Sequence, residues 1–441
     1  MTTERIARRR RTPRAAFLAG LLACVVAASG ACTSPRPPAA ERPAARVEQG
    51  LSDAQLVDRV QRQTFRYFWD FGHPVSGLAR DRSNSTDPEG HDVCTSGGTG
   101  FGVMAIVVAA ERGWVGRAEA LERLLRMTAF LQKSERHRGV FPHWLNGATG
   151  RTIAFGDDDD GGDIVETAYL MQGLLTARQY FAGADSSEAE LRRRIDALWR
   201  EVEWTWHVAP GEPALMWNRS PRSGFAVGAG VSGWNEALIT YVLAASSPTH
   251  PIDTTLYHRG WARDGAMVNG REYFGIRLPL GPGFGGPLFF EHYSFLGLDP
   301  RGLEDRYASY WEQCVNHTLI NREHCVRNPK RFRGYGTGAW GLTASDVEGG
   351  YAANSPAEDT GVITPSAALS SFPYTPRYSM QALRHFHDEL GGRLWSEYGF
   401  VDAYNESGNW TAASHLAIDQ GPIVVMIENY RTRLPWKLFM S

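Results

Sequence analysis

The chain has 441 residues and a formal net charge of −2 at pH 7. This balance argues against nucleic acid as a partner, because surfaces that bind a phosphate backbone carry an excess of lysine and arginine. The length is enough for one large domain or two smaller ones. Its 14 tryptophans, 16 tyrosines and 20 phenylalanines suit a large core. Aromatic rings also stack on flat ligand surfaces, so some of these side chains are candidates for binding.

Residues 1–32 have the pattern of an export signal. A run of arginines precedes an apolar stretch, residues 15–31, that is shorter than a typical membrane span. The stretch leads into the sequence SGAC, which ends at Cys32 and resembles a bacterial lipoprotein signal. Ordinary cleavage just before Cys32 is the alternative. We therefore expect an exported protein, periplasmic or membrane-anchored, whose membrane contact is a lipid on Cys32.

The rest of the chain predicts a linker followed by one domain. Residues 33–50 are rich in proline, alanine and arginine, which is typical of a flexible tether. Residues 51–441 show no second boundary and predict a single folded domain. Three cysteines remain in it, Cys94, Cys314 and Cys325, at spacings that fit no metal motif. Export permits a disulfide, but we expect three small buried side chains.

Apolar helices alternate with amphipathic ones along this domain. Segments that are apolar almost all round belong in an interior, whereas segments with one apolar face belong half-exposed on its outside. The predicted helices are 51–71, 99–111, 117–133, 163–181, 187–207, 232–245, 303–320, 380–390 and 420–430. The alternation predicts an inner ring of buried helices wrapped by an outer ring. The long loops 278–287 and 334–365 are expected to hold a few short strands and functional residues.

Polar residues gather where the predicted inner helices begin. Because the inner helices of such a ring run parallel, the positive ends of their dipoles converge at one end of the ring. The polar starts are residues 97–100, 163–166, 234–236, 291–293, 366 and 419–420. The acids among them predict a ring of carboxylates around a cleft, assembled from distant parts of the chain.

The stretch DDDDGGDIVETAYLMQGLL brings carboxylates to the start of a buried helix. Asp163 and Glu166 are three residues apart and lie on one side of that helix. They also match a capping box, in which Glu166 reaches back to the cap, so a structural role is the alternative for both. In the preceding acidic loop Asp159 is a candidate for the cleft. A solvated loop or a calcium ligand is the alternative.

Two further acids begin other inner helices. Glu236 follows Trp234 and Asn235, and burial against tryptophan raises a carboxyl pKa into the range that a general acid needs at neutral pH. An ordinary surface glutamate is the alternative. Asp419 precedes a Gly-Pro pair, and capping of the helix N-terminus is its alternative role.

Other side chains are candidates for binding rather than for catalysis. His292 and Tyr293 follow Glu291 and predict either substrate contacts or core residues. Four loop residues are of types that favour sugar contacts, namely Arg333, Tyr335, Trp340 and Trp410. No Ser-His-Asp order, nucleophile elbow or phosphate-binding glycine loop is present in the sequence. Two carboxylates across an aromatic groove are the minimum apparatus for hydrolysing a glycosidic bond, which needs no metal or organic cofactor, and we expect none.

Six blocks of sequence resemble one family. They are GGDIVETAYLMQGLL, GWNEALITYVLAASSPTHPI, GGPLFFEHYSFLGLDPR, WGLTASD, SSFPYTP and AIDQGPIVVMIENYR. Their order resembles that of the bacterial endo-β-1,2-glucanases of glycoside hydrolase family 144, the glucoamylase-like domain. The resemblance implies an all-α (α/α)6 toroid over residues 51–441 as the catalytic domain. It implies endo-acting hydrolysis of β-1,2-glucan, with inversion expected.

The resemblance also implies roles for the acids. Asp159, Asp163 and Glu166 match the acidic positions of the first block, Glu236 that of the second and Asp419 that of the last. Glu236 is the leading candidate for the general acid, and Asp419 or Asp163 would assist the attacking water. Two other classes remain open. One is a non-catalytic glycan-binding lipoprotein, and the other is a glycosidase or lyase of the same fold acting on another polysaccharide.

Overall fold

The computed structural model describes residues 47–84, 90–156, 159–225 and 229–441. The predicted export signal, most of the linker, Asp157 and Asp158 lie outside the described residues. The α-helices of the described part are α1 (Asp53–Trp69), α2 (Ser96–Glu111), α3 (Arg117–Leu131), α4 (Ile164–Tyr180), α5 (Ser186–Glu201), α6 (Leu238–Ser246), α7 (Tyr310–Arg327), α8 (Pro365–Leu369), α9 (Pro376–Arg384), α10 (Gly391–Leu394), α11 (Ala417–Arg431) and α12 (Leu434–Phe439).

Inner and outer elements alternate as the sequence predicts. α2, α4 and α11 are buried along almost their whole length, while α1, α3 and α5 bury one face. The inner ring runs α2, α4, α6, a pair of 3-10 turns, α8 and α11, and it closes where α11 packs against α2. The 3-10 turns are Leu288–Glu291 and Ser294–Leu296, and the outer element before them contains a π-helical turn, Tyr257–Trp261.

The inner helices meet at glycines. A Cβ atom on Gly100 of α2 would lie 2.1 Å from the carbonyl oxygen of Tyr169, and one on Gly173 of α4 would lie 2.0 Å from the carbonyl oxygen of Gly100. A Cβ on Gly421 of α11 would lie 2.4 Å from the Cβ of Phe101. The α2 and α4 backbones therefore touch at their crossing, and α11 packs closely against the Phe101 side chain of α2.

The strands are short and belong to the loops. They are β1 (Val93–Thr95), β2 (Trp144–Asn146), β3 (Thr152–Ile153), β4 (Gly162–Asp163), β5 (Asn218–Arg219), β6 (Glu272–Tyr273), β7 (Ile276–Arg277), β8 (Ala344–Val347), β9 (Gly350–Ala353), β10 (Trp395–Ser396), β11 (Gly399–Phe400), β12 (Tyr404–Asn405) and β13 (Trp410–Thr411). β1, β2 and β3 form an antiparallel sheet, and the other ten pair as β4–β5, β6–β7, β8–β9, β10–β11 and β12–β13. β1 runs directly into α2 and β4 into α4, so strand pairing fixes where two inner helices begin.

Several predicted helix boundaries are wrong for local reasons. α6 begins at Leu238 rather than at 232, because the Asn235 side chain accepts a hydrogen bond from the Ala237 N–H and holds a turn there. α7 begins at Tyr310 rather than at 303, where Ser309 supplies the cap. α5 ends at Glu201 rather than at 207, since the chain leaves the helix at Val202.

Two features bear on earlier expectations about cysteines and membranes. Cys94, Cys314 and Cys325 are buried and free, as predicted. Within the described ranges, no helix combines the length and the apolar character needed to cross a bilayer.

Candidate active site

Asp163 is the N-cap of α4 and is fully buried. Its Oδ1 accepts hydrogen bonds from the N–H groups of Val165 and Glu166, each at 2.9 Å, which confirms the capping role. Its Oδ2 lies 3.1 Å from Nδ1 of His143. One carboxylate thus both begins the helix and joins a polar cluster.

Glu166 does not complete the predicted capping box. Its Oε2 accepts hydrogen bonds from the N–H of Gly97 at 2.6 Å and from the Thr95 hydroxyl at 3.1 Å. The N–H of Asp163, which the box would use, instead donates to the carbonyl of Phe141. The Glu166 carboxylate accepts from a free N–H group in the first turn of α2 instead of from its own helix. Glu166 on α4 therefore caps the neighbouring helix. Burial raises the pKa of Glu166, and the charge of Asp163 adds to that effect.

His143 lies among three carboxylates. Burial alone would favour its neutral form, but Glu166, Asp163 and Asp159 outweigh burial and raise its pKa to about 10. Burial and the charge of Asp163 raise the pKa of Asp159 to about 7. One possible metal-ligand atom from each of His143, Asp159 and Asp163 lies within 4.8 Å of the other two. Within the described ranges, these three residues are the group that could hold a metal ion. A protonated His143 already supplies a positive charge there.

Glu236 lies in the turn before α6, half-buried at the same end of the ring. Burial, together with the charges of Glu166 and Asp163, raises its pKa to about 7. Its carbonyl accepts hydrogen bonds from the hydroxyl groups of Tyr169, at 3.3 Å, and Ser294. The backbone of Glu236 is therefore fixed by two neighbouring inner elements, and its carboxyl group is half protonated near neutral pH.

Asp419 is in the first turn of α11 rather than before it, so the alternative role of an N-terminal cap is wrong. The N-cap residue is Leu416, and α11 begins at Ala417, four residues before the Gly-Pro pair that was expected to mark its start. The Asp419 carboxyl group is buried and accepts a hydrogen bond from the Ser366 hydroxyl at 3.3 Å. Burial raises its pKa to about 7, although a hydrogen bond with Asp402 and the one from Ser366 act against that rise.

Tyr293 connects the two acids. Its ring packs on Phe101 and Tyr169, with centroids 5.3 and 5.8 Å away, and forms an aromatic floor. Its pKa is raised by burial and then by Asp419 and Glu236, so both carboxyl groups lie within electrostatic reach of one phenol. Glu236 before α6 and Asp419 in α11 thus both come near the same buried tyrosine, although they lie on different inner elements.

Several predicted binding residues lie in the core instead. Glu291 is fully buried, and its Oε1 accepts hydrogen bonds from Trp234 Nε1 (3.0 Å) and from Gln313 and His317. The Trp234 indole N–H is therefore used in the bond to Glu291, and its ring packs among other aromatic rings. His292 is a core histidine whose pKa burial lowers to about 3, and Trp340 is completely buried. Asn235 holds the turn before α6.

The remaining three candidates lie on loops that bind one another. The Tyr335 hydroxyl donates to Asp359 at 2.7 Å, and Arg333 donates to the carbonyl of Glu406. Trp410 is half-buried in β13. Tyr335 and Arg333 thus bond to neighbouring loops, and no contact of the described residues joins any of the three side chains to Glu236 or Asp419, so their binding roles stay predictions.

Sequence reasoning missed five polar residues around the acids. His143 bonds to Asp163, and Asp402 pairs with Asp419. Arg82 bridges Asp81 and Asp346, each at 3.1 Å. The sequence offered a weak signal for one of them. Asp402 is a single polar residue directly after the apolar pair Phe400 and Val401, a pattern that many surface loops share.

Comparisons with known proteins agree with this architecture. The family model described as "Glycoamylase: Putative glucoamylase" matches residues 229–441. A solved structure from Bacteroides uniformis, described as a "putative glucoamylase", is 56% identical with a TM-score of 0.87, over 89% of this chain and 95% of that one. An endo-β-1,2-glucanase from Chitinophaga pinensis, solved with sophorotriose and glucose, is 51% identical with a TM-score of 0.87, over 89% and 96% of the two chains.

A curated relative is longer than this chain. It is an exo β-1,2-glucooligosaccharide sophorohydrolase (non-reducing end) from Parabacteroides distasonis, 44% identical over 412 residues, which are 89% of this chain. The chain spans 57% of the length of that relative. A glucoamylase from Hormoconis resinae, 12% identical with a TM-score of 0.51, shares the fold. The (α/α)6 toroid is thereby confirmed.

The fold and the facing carboxyl groups define a toroidal protein of the glycoside hydrolase type. The chain belongs to the glucoamylase-like family, glycoside hydrolase family 144, as the six sequence blocks indicated.

Proposed function

We propose that this protein hydrolyses β-1,2-glucan with Glu236 as general acid and Asp419 as general base. The observation that carries the proposal is that two carboxyl groups from distant inner elements, each with a pKa near 7, both lie within electrostatic reach of Tyr293. General acid–base catalysis is most effective when the pKa of the group lies near the working pH. Asp163 is less suited to the base role because both of its oxygens are already bonded.

The reaction follows from these positions. Protonated Glu236 donates its proton to the glycosidic oxygen as the bond from that oxygen to the anomeric carbon breaks. Ionised Asp419 takes a proton from a water molecule, whose oxygen forms the new bond to the anomeric carbon from the opposite face. The product has inverted configuration, which requires carboxyl groups far enough apart to admit water. Glu236 and Asp419 belong to separate acidic clusters, and this separation supports inversion.

The substrate class rests on the relatives. The Chitinophaga pinensis protein is an endo-β-1,2-glucanase, and the Parabacteroides distasonis protein is a sophorohydrolase that acts from the non-reducing end. We propose endo action, since identity is higher to the endo enzyme, 51% against 44%. Linear β-1,2-glucan is accordingly the expected partner.

We also propose that the protein is exported and works in the periplasm or from a membrane, held by a lipid on Cys32. The arginine run and apolar stretch of residues 1–32 support this. Labelling cells with a radioactive fatty acid tests the anchor, because Cys32→Ala should abolish the label in the mature protein. Equal labelling of both forms would contradict it.

Digestion of linear β-1,2-glucan by the purified protein tests the function. We expect a ladder of intermediate oligosaccharides early in the reaction, and proton NMR should show the α-anomer as the first product. Release of sophorose alone would replace endo with exo action. Binding without cleavage would identify a glycan-binding protein, and products that absorb in the ultraviolet would identify a lyase.

A further inference from the structure

The carboxyl groups of Asp402 and Asp419 are buried and lie close enough that each affects the pKa of the other. Both residues are 2% exposed. The Asp346 N–H donates to Oδ2 of Asp402 at 2.7 Å, and the Ser366 hydroxyl donates to Oδ1 of Asp419. The other oxygen of each group is buried and has no further protein donor among the described residues. These two oxygens are therefore the ones available for a hydrogen bond between the two groups.

A hydrogen bond between two carboxyl groups needs one proton, because ionised carboxylates only accept. Two such groups cannot both ionise at this distance without a large cost, so the pair holds a shared proton over a wide pH range. The location of Asp419 decides which group ionises first. It lies in the first turn of α11, where the helix dipole and free N–H groups favour negative charge.

Arg82 acts on Asp419 through its charge, but its hydrogen bonds go to other carboxylates. Arg82 is committed to Asp81 and Asp346. The Ser414 hydroxyl donates to Asp346 at 2.5 Å, and the ring nitrogens of His415 contact Ser83 and Ser396. Tyr351 on β9 lies within electrostatic reach of all four aspartates, Asp81, Asp346, Asp402 and Asp419. Arg82 is thus shared among several carboxyl groups of the described residues, and a proton retained by the Asp402–Asp419 pair reduces the excess negative charge.

We propose that Asp402 is a positioning residue whose protonated carboxyl group donates to Asp419 and holds that carboxylate ionised and aimed at the attacking water. The inference rests on the proposed function for the role of Asp419. Asp402 itself does not touch substrate in this scheme. It acts by fixing the orientation of the base and by stabilising its charged form.

Two substitutions separate this role from a structural one. In Asp402→Asn, the Asp346 N–H holds the amide oxygen, so the amide NH2 faces Asp419 and still donates. In Asp402→Ala no donor remains. We expect the acidic limb of the pH profile of kcat/KM to stay within about half a unit of wild type for the Asn variant. For the Ala variant it should move up by about one unit or more, a loss of at least ~10-fold at pH 6.

Glu428→Gln is the matched control, because it alters a buried carboxylate at the other end of α11. It should leave the acidic limb in place even if the protein is less stable. If Asp402→Asn and Asp402→Ala both lower kcat/KM equally at every pH and leave the limb unmoved, Asp402 is structural and the proposal is overturned.

A second readout does not depend on activity. Carbon-13 NMR of protein labelled at the aspartate carboxyl carbon should show a protonated aspartic acid at pH 8, absent from Asp402→Asn. Absence of that signal in wild type overturns the shared proton. If the signal is present but wild type hydrolyses no glucan, the proposed function fails and the positioning role fails with it, while the shared proton stands.

Discussion

The two ends of α11 carry the same kind of group in opposite surroundings. Near the start, Asp419 is buried with one hydroxyl donor and a second carboxyl group beside it. Near the end, Glu428 is also buried, but Arg112 donates to its two oxygens at 2.8 and 2.9 Å, and Gln61 and Thr432 donate as well. The two groups are about 13 Å apart along the helix. Burial is thus common to both, and the cationic partner distinguishes the structural carboxylate from the candidate catalytic one.

The largest expected effect comes from replacing the proposed acid. Glu236→Gln keeps the shape of the side chain but removes its proton, so kcat should fall by about 10²–10⁴-fold on β-1,2-glucan. The melting temperature should stay close to that of wild type, because the carboxyl group of Glu236 bonds to no cation in the described ranges. Retention of more than a tenth of the wild-type kcat would remove Glu236 from the mechanism.

Glu428→Gln should show the opposite pattern. Losing a buried partner leaves Arg112 uncompensated, and we expect about 2–3 kcal/mol less unfolding free energy. The kcat at 25 °C should remain within about twofold of wild type. Urea unfolding and initial rates on one protein batch measure both quantities. If Glu428→Gln were as stable as wild type, or as inactive as Glu236→Gln, Glu428 would not be the structural carboxylate of α11.

The pH profile of kcat/KM should be bell-shaped and centred near pH 7. Below about pH 7 Asp419 gains a proton and ceases to act as a base, and above about pH 7 Glu236 loses the proton it must donate. The two apparent values belong to the coupled site rather than to single residues. Initial rates in overlapping buffers from pH 5 to 9 provide the check, and a flat profile across that range contradicts both assignments.

A smaller effect is expected on stability. The pKa of Asp419 is about 7 in the folded protein and about 3.9 when unfolded, so folding takes up a proton between these values. This contribution to stability is full below about pH 4 and is lost as pH rises through 7. Asp419→Asn should therefore raise the melting temperature relative to wild type more at pH 9 than at pH 6. A constant difference at both pH values would show that Asp419 is not buried as an acid.

Much of the ring could be read from the sequence because its signal is local. The segments that form α2, α4 and α11 are apolar on all sides. Such a helix removes its apolar surface from water only when it lies in the interior. Asp163 was recognisable as a cap for the same reason, since a cap bonds to its own helix. Glu236 and Asp419 were found because they begin inner segments.

The remaining parts of the site depend on contacts between distant segments. Glu166 fits a local capping box, yet it bonds to Gly97, which is 69 positions away in sequence. Asp402 follows a two-residue strand with no periodic pattern, and its partner is set by how β11 and α11 pack. Trp234 and Glu291 were expected in the cleft because they lie at the starts of predicted inner helices, but the Trp234 side chain donates to Glu291 in the core. Position at a helix start did not reveal which way their side chains would point.

The closure of α11 against α2 has a consequence for when activity can appear during folding. Glu236 and Asp419 are 183 positions apart in the sequence, and Asp419 is on the last inner helix of the ring. Contacts between such distant positions form late, after the loop between them has been ordered. A partly folded chain with an open ring has its acid and base apart, so recovery of hydrolysis during refolding reports ring closure itself.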